Sequence, residues 1–377
     1  MEKLGIGLIG FGGIGKLHAL GYNSLHYFYD PLPADIELVG VCTSRKETAK
    51  TAKNKYGFKI ATTDYHELLQ REDIDIIDCC LPNNLHYKLI IDAAEMGKHI
   101  YCEKPLAENY DKAEKIHKAV LNNNIKFQMA FNNRFLPAIM RAKQMINNNF
   151  IGKIYSFKGR YLHSGYQNPA KPISWRLKKG KAGGGALVDL GAHIIDLLRY
   201  LVGDFRSICS TTHTFIKKRP QLSNNNHYEE VDVDDICQIQ VKLPEGGLGM
   251  IEASRFATGS NDELSFEIRG ENGAFQFNLM EPNWLYAYDA TEKSEPIGGK
   301  RGFKKIETVQ RYPEPAVLPY SKSSISWMRG HIASQYNFIK TVVEDKMPRP
   351  NVDDGLMVQK IIRYAYLSEQ ENRWIEF

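Results

Sequence analysis

The chain has 377 residues, 43% of them hydrophobic and 25% charged, which is ordinary for a globular protein and long enough for two domains with sizeable cores. Its net charge of +5 is mild, and the short clusters Lys178-Lys179 and Lys217-Lys218-Arg219 read as solvated loop charge, so nucleic-acid binding is not implied. No apolar run reaches the roughly 18 residues that a membrane span needs, and no membrane partner is expected.

The six cysteines, Cys42, Cys79, Cys80, Cys102, Cys209 and Cys237, make no C-x-x-C pair and sit mostly in apolar strand-like runs. They read as reduced, buried thiols of a cytosolic protein. The first strand-like run begins within a few residues of Met1, which leaves no room for a signal peptide and makes a cytoplasmic location the expectation.

Strand and helix alternate over the first third of the chain. LGIGLIG (4–10) reads as a strand, followed by a glycine turn and a helix from about Ile14. IELVGVC (36–42) is a second strand and Lys46–Tyr56 a helix. DIDIIDCCLP (73–82) is a third strand closed by Pro82, and Leu85–Glu95 is helical. HIYCEKP (99–105) is a strand, Asp111–Asn122 a helix and KFQMAFN (126–132) a strand. This alternation predicts an α/β fold whose N-terminal part is a doubly wound parallel sheet.

The pattern changes near residue 135. After a helix at about 137–149 come strands without intervening helices: 153–162, 234–243, 247–256, 264–270 and 273–279, with PEGG (244–247) and GENG (270–273) as hairpin turns. They predict an α+β domain with a large, mostly antiparallel, open-faced sheet, whose aromatic-rich strands leave one broad face for another subunit. The expected division is a dinucleotide-binding domain at 1–133 and a substrate-binding and oligomerisation domain at 134–377. Segments 329–345 and 353–370 return to helix.

Four constellations carry chemistry. The first is GFGGIG, Gly10-Phe11-Gly12-Gly13-Ile14-Gly15, a G-x-G-x-x-G fit between a strand and a helix. Gly10 permits the tight turn, Gly12 the approach of a pyrophosphate and Gly15 close helix–strand packing, with the phosphates on the helix N-terminus. The second is the end of the next strand, Thr43-Ser44-Arg45. The Asp or Glu that usually meets a free ribose 2′-hydroxyl is missing, and Arg45 offers a fork suited to a phosphate. That favours NADP over NAD, although Arg45 is also compatible with covering an adenine or opening the next helix.

The third is Glu103-Lys104-Pro105 at a strand end, where ligands of a doubly wound sheet lie. Lys104 is expected near a nicotinamide. Pro82, Asn83 and His86, after the preceding strand, are expected to wall the cofactor, with His86 as a structural or ribose contact. The fourth is GGGALVDLGAHIIDLLRY (183–200). Asp189 and His193 are one helical turn apart and share a face, while Leu190, Ile194, Leu197, Leu198 and Leu201 form an apolar stripe on an adjacent one. A Lys–Asp–His set suits alcohol–ketone hydride transfer. In such a set His193 would take or return the hydroxyl proton, Lys104 would bind and polarise the oxygen, and Asp189 would orient the imidazole or grip a neighbouring hydroxyl; taken alone, Asp189 and His193 read equally as a helix cap and a core histidine. No third ligand at suitable spacing points to a metal at Asp189 and His193. The glycines at 183–185 are expected to let the backbone approach the cofactor.

The chain resembles the Gfo/Idh/MocA family of glucose–fructose oxidoreductases and inositol dehydrogenases. The resemblance lies in GFGGIG followed by His18, in Pro82-Asn83…His86, in AAEMGKHIYCEKPLA (93–107), in Ser174-Trp175-Arg176 and in GGGALVDLGAHIIDLLRY. It implies a nicotinamide-dependent oxidoreductase with Lys104, Asp189 and His193 as the catalytic set and Trp175 and Arg176 beside the cofactor. Within the family, FKGRYL (157–162), PISWRLKKGKAGGGAL (172–187), VDVDD (231–235) and IEASRFA (251–257) look most like the levoglucosan dehydrogenase group. The chain departs from that group at Thr43, where an acidic residue is expected, and at Asn133, where an aromatic one is expected. The implied activity is oxidation of a ring secondary hydroxyl of a sugar, anhydrosugar or cyclitol by NAD(P), in a homodimer or homotetramer. The sugar-like ring that the resemblance implies makes Asn132, Arg134, Tyr161 and Trp327 further pocket candidates, since polar groups and an aromatic wall would suit it. Two alternatives stay open: a tightly bound, internally recycled cofactor, as in transhydrogenating or glycoside-cleaving relatives, and a non-catalytic dinucleotide-binding regulator.

Overall fold

The computed structural model describes residues 3–222, 227–309, 312–317 and 327–377, which form two compact units. The first opens with β1 (Lys3–Ile9), α1 (Gly13–Phe28), β2 (Asp35–Cys42), α2 (Lys46–Tyr56), β3 (Ile60–Thr62), a short α3 (His66–Leu69), β4 (Ile76–Cys79), α4 (His86–Glu95), β5 (His99–Cys102), α5 (Tyr110–Asn122) and β6 (Phe127–Met129). The strands form one parallel sheet in the order β3-β2-β1-β4-β5-β6. This is the doubly wound dinucleotide order, with its switch point between β1 and β4. All of β1 after Lys3 is buried, as a central parallel strand covered on both faces must be.

The second unit contains α6 (Pro137–Asn147), β7 (Ile154–Leu162), the short α7 (Lys179–Ala182), a π-helical turn at Leu187–Gly191 and α8 (Ala192–Val202). Then follow β8 (Ser207–His213), a small β9–β10 ladder (Lys218–Pro220, Tyr228–Glu230), β11 (Ile236–Lys242), β12 (Leu248–Ser254), β13 (Glu263–Gly270), β14 (Gly273–Asn278), β15 (Trp284–Asp289) and β16 (Lys304–Glu307). With the terminal β17 (Ile375–Glu376) they build a nine-stranded sheet, β16-β15-β14-β13-β7-β12-β11-β8-β17, antiparallel except for the β7–β12 pair. Burial alternates along β11 and β13, so one face is core and the other open. Gly159 lets α8 lie on the core face, since a Cβ there would fall 2.6 Å from Leu198 Cδ1. The open face carries a hollow of about 500 Å³, lined more by apolar than by polar surface, whose residues include Lys158, Arg160, Gln238, Gln240, Met250 and Tyr286.

Two long helices follow, α9 (Trp327–Val343) and α10 (Val352–Glu371). Residues 328–359 pack with the first unit, and Ile332, Phe338 and Ile339 share its core with Leu4, Ile6, Leu8, Tyr22 and Leu25. The compact units therefore do not follow a single cut at 133/134. An amphipathic stripe says that a helix docks, not on which sheet. β8, rich in Ser and Thr, and the short edge strands had no strong alternation to announce them. No described helix is long and apolar enough to cross a membrane.

Gly184 and Gly185 are required by packing within the chain, a role the sequence did not announce. Gly183 ends α7 at φ +84°, a Cβ at Gly184 would sit 2.0 Å from the Tyr366 hydroxyl, and one at Gly185 only 1.7 Å from the Asp234 carbonyl oxygen. Asp234 in turn accepts the N–H groups of Gly185 and Leu187, each at 2.8 Å, and so fixes the entry to the π turn. Gly185→Ala is expected to cost about 1–3 kcal/mol through overpacking, read as a lower denaturant midpoint; an unchanged midpoint would contradict this packing role.

Candidate active site

The glycine loop has the shape its spacing predicts. Gly10 has φ +96°, and a Cβ there would fall 2.4 Å from the Cys80 carbonyl oxygen. A Cβ on Gly15 would fall 2.2 Å from the Gly10 carbonyl oxygen, whereas Gly12 and Gly13 face open space. Gly12 caps α1 with no side-chain acceptor, and the first turn carries no acidic residue. The free N–H groups of Gly13, Ile14 and Gly15 therefore fit an anionic pyrophosphate. Phe11 is half-buried, with its ring edge-on to Tyr56 and Phe58 at 5.0 and 5.7 Å.

At the end of β2, Ser44 and Arg45 are exposed. The Thr43 hydroxyl donates to the Arg45 carbonyl at 2.8 Å and lies 2.6 Å from the Thr48 hydroxyl. It is committed to the start of α2.

The ends of β4 and β5 hold a buried ion cluster. His18 has no exposed surface. Its Nδ1 lies 3.0 Å from both carboxylate oxygens of Asp78, and its Nε2 lies 3.2 Å from Glu103 Oε1. Burial alone would depress His18, but the two carboxylates raise it to about 10. Burial would raise Glu103; the His18 imidazolium 3.2 Å away, with His331 and Lys104, holds it down at about 2. Burial and the neighbouring His18 charge lower His331 to about 3, so it is neutral. Glu103 Oε2 accepts the Lys104 N–H at 3.2 Å, and the Lys104 side chain is half-buried.

Of the residues expected around the cofactor, Glu103 is turned into the protein and His86 takes the structural one of its two expected roles. Glu103 is tied to His18, and His86 is fully buried, with Nδ1 3.0 Å from the Pro105 carbonyl oxygen and Nε2 2.9 Å from that of Leu81. Pro82 is half-buried and Asn83 buried. Asn132 has no exposed surface, and neither polar atom of its amide has a partner among the described residues. An amide in that state suits a ligand group from outside the chain. Arg134, expected in the pocket, is paired with Asp354 at 3.0 Å. Burial would raise Asp354, but Arg134 and the Asn351 N–H hold it low. Asn133 is buried.

In the second unit Asp189 sits in the π turn and His193 in the first turn of α8, so the regular α-helix expected to carry both begins only after Asp189. Asp189 Oδ2 accepts from Arg255 Nη2 at 3.1 Å. Arg255 is 1% exposed, follows β12, reaches the Arg176 carbonyl at 3.4 Å and lies 4.8 Å from the centre of the Tyr166 ring. The His193 ring meets Tyr161 edge-on at 5.7 Å. The Tyr161 hydroxyl donates to Asp262 Oδ1 at 2.7 Å, and His163 Nε2 lies 3.1 Å from the same oxygen. Burial would raise Asp262; the His163 and Tyr161 bonds and the His193 charge keep it ionised. The Arg176 guanidinium lies over Trp175 at 4.5 Å, and Trp327 is partly exposed at the start of α9. Arg255, Asp262 and His163 were missed in the sequence, where the one signal was an arginine ending an apolar strand.

Three groups of side chains among the described residues are close enough to hold a metal: Cys79, His86 and Cys102; His18, Glu103 and His331; and His18, Asp78 and Cys80. None includes Asp189 or His193.

Residues 4–131 match the oxidoreductase family's NAD-binding Rossmann fold, and residues 143–377 match its C-terminal alpha/beta domain. The chain belongs to the Gfo/Idh/MocA oxidoreductase family. Levoglucosan dehydrogenase of Pseudarthrobacter phenanthrenivorans is 34% identical over 100% of this chain and 98% of its own length. Inositol 2-dehydrogenase of Rhizobium meliloti is 26% identical over 98% of both chains. A solved levoglucosan dehydrogenase in complex with NADH and levoglucosan, 34% identical, superposes with a TM-score of 0.94 over 100% of this chain and 99% of that one. This Gfo/Idh/MocA chain is an oxidoreductase with an NAD(P)-binding Rossmann sheet.

The buried cluster has a pH signature. His18 is raised from 6.5 to about 10, so its contribution is complete below pH 6.5 and is lost as pH rises through 10. Melting temperature is expected to fall between pH 7 and 10, and to fall less in His18→Asn. Equal slopes in both proteins would contradict the assignment.

Proposed function

We propose that this chain is an NAD(P)-dependent dehydrogenase that oxidises a ring secondary hydroxyl of a sugar, anhydrosugar or cyclitol, or reduces the corresponding ketone. The observation that carries the reading is the Asp189–Arg255 pair beside His193 and Tyr161, in a chain 34% identical along its whole length to a levoglucosan dehydrogenase. When bound at the glycine loop, the nicotinamide supplies the hydride acceptor or donor. His193 takes the hydroxyl proton as the carbon gives up its hydride. Lys104 donates to the reacting oxygen and stabilises its developing charge. Asp189, held in place by Arg255 at 3.1 Å, grips a neighbouring hydroxyl and orients His193. Tyr161, fixed by Asp262, walls the imidazole, and Trp175 and Arg176 flank the cofactor.

The exposed Arg45, with no carboxylate at the end of β2 to repel a 2′-phosphate, supports acceptance of NADP at least as readily as NAD. The largely apolar hollow on the open sheet face, with Leu248 and Met250 exposed on β12, supports self-association as a homodimer or homotetramer.

Cofactor reduction with levoglucosan, myo-inositol and aldopyranoses tests the reading. Lys104→Met and His193→Asn should each lower kcat by about 10²-fold or more. Arg255→Met should lower it by about 10²-fold through misplaced Asp189, with little change in cofactor affinity. Arg45→Ala should weaken NADP and leave NAD unchanged. Undiminished turnover in Lys104→Met and His193→Asn would sink the assigned roles. Cofactor that co-purifies and resists dialysis, with no net turnover, would favour internal recycling instead.

A further inference from the structure

We propose that His18 and His86 are positioning residues for Lys104: two buried imidazolium rings that fix the main chain immediately before and after it. The proposal rests on Lys104 being the group that binds the reacting oxygen. On the N-terminal side the anchor is the Glu103 carboxylate. One of its oxygens lies 3.2 Å from His18 Nε2, and the other accepts the Lys104 N–H at 3.2 Å. His18 is itself seated against Asp78 by its other nitrogen, at 3.0 Å. On the C-terminal side the anchor is the Pro105 carbonyl, which lies 3.0 Å from His86 Nδ1.

The protonation of His86 follows from geometry. Its second nitrogen lies 2.9 Å from the Leu81 carbonyl oxygen. A carbonyl oxygen only accepts, so a ring that meets one at each nitrogen carries a proton at each. Leu81 begins the turn into Pro82 and Asn83, so the same ring ties the loop after β4 to the loop that carries Lys104. The groups facing His86 are Cys79, Cys102 and Glu103; the sulfurs of the two cysteines and a ring nitrogen lie within 4.8 Å of one another. Those facing His18 are Asp78, Glu103, Cys80 with its sulfur at 3.1 Å, and the rings of Tyr101 and His331. His18 and His86 are both fully buried.

The reason for such an arrangement lies in the lysine. Its four-carbon stem is flexible, and an ammonium that polarises one oxygen must arrive at a defined point. Fixing the main chain on both sides removes two sources of drift. Hydride transfer is sensitive to such drift, because a misplacement of about 1 Å costs on the order of 10²-fold in rate.

Two measurements test the proposal. The first needs no turnover. In protein labelled with 15N at its 11 histidines, two imidazole rings should remain doubly protonated at pH 8. One signal should vanish in His18→Gln and the other in His86→Gln, whereas an ordinary ring titrates near about 6.5. Both rings neutral at pH 8 would overturn the proposal. The second uses cofactor reduction with levoglucosan, myo-inositol and D-glucose as probes. Glu103→Gln and His86→Gln should lower kcat about 10- to 100-fold with cofactor KM changed less than about twofold, and should raise the primary isotope effect of ring-deuterated substrate.

Should His18→Gln fail to fold, Glu103→Gln and the wild-type spectrum carry the test. A lower melting temperature with unchanged kcat per folded enzyme would mean a structural role only and overturn the proposal. Lys104→Met separates the two layers. If it is inactive while Glu103→Gln and His86→Gln are fully active, the positioning role alone falls. If Lys104→Met keeps its turnover, the assignment of Lys104 falls, and the positioning role with it.

Discussion

A charged imidazole ring without contact with water must be paired, or it costs several kcal/mol. In the first unit that ring is His18, and its partners come from two strands, Asp78 on β4 and Glu103 at the end of β5. His18 itself lies on α1, one turn beyond the glycine loop. One ion cluster thereby fixes the helix whose N-terminus receives phosphate, the strand across the switch point from it, and the loop that carries Lys104. Gly10 and Gly15 can bring α1 that close because neither has a Cβ to collide with Cys80 or with the turn itself.

The second unit uses the same physics at lower burial. Arg255 neutralises Asp189 and reaches the Arg176 carbonyl, which links the carboxylate to the segment carrying Trp175. Asp262 gathers Tyr161 and His163 and fixes the ring beside His193. The π turn at Leu187–Gly191 presents Asp189 while the apolar stripe of α8 stays buried. Asp234 and Tyr366, packed against Gly184 and Gly185, set where that turn begins.

Much of this was legible in the residues. GFGGIG, the strand–helix alternation and the strand-end lysine mark a dinucleotide fold, because local backbone chemistry dictates each of them. The helix carrying Asp189 and His193 was visible from its stripe. What stayed hidden depends on contacts distant in the chain. His18 and Asp78 are 60 positions apart, and Asp189 and Arg255 are 66 apart. Neither pair has a spacing that periodicity could reveal. His86 read as a structural or ribose contact, and the carbonyls of Leu81 and Pro105, which draw its ring inward, decide for the structural role. The glycines at 183–185 were read as making room for a ligand, and the packing of Asp234 and Tyr366 against Gly184 and Gly185 had no signal in the sequence.

The central claim is that hydride passes from a ring carbon to a nicotinamide held at the glycine loop. It is tested most directly by offering ring-deuterated levoglucosan, myo-inositol and D-glucose with NAD and with NADP, and weighing the reduced cofactor by mass spectrometry. The account predicts reduced cofactor that carries one deuterium with at least one of these substrates. Reduced cofactor without deuterium, or no reduction with any of them, would contradict it.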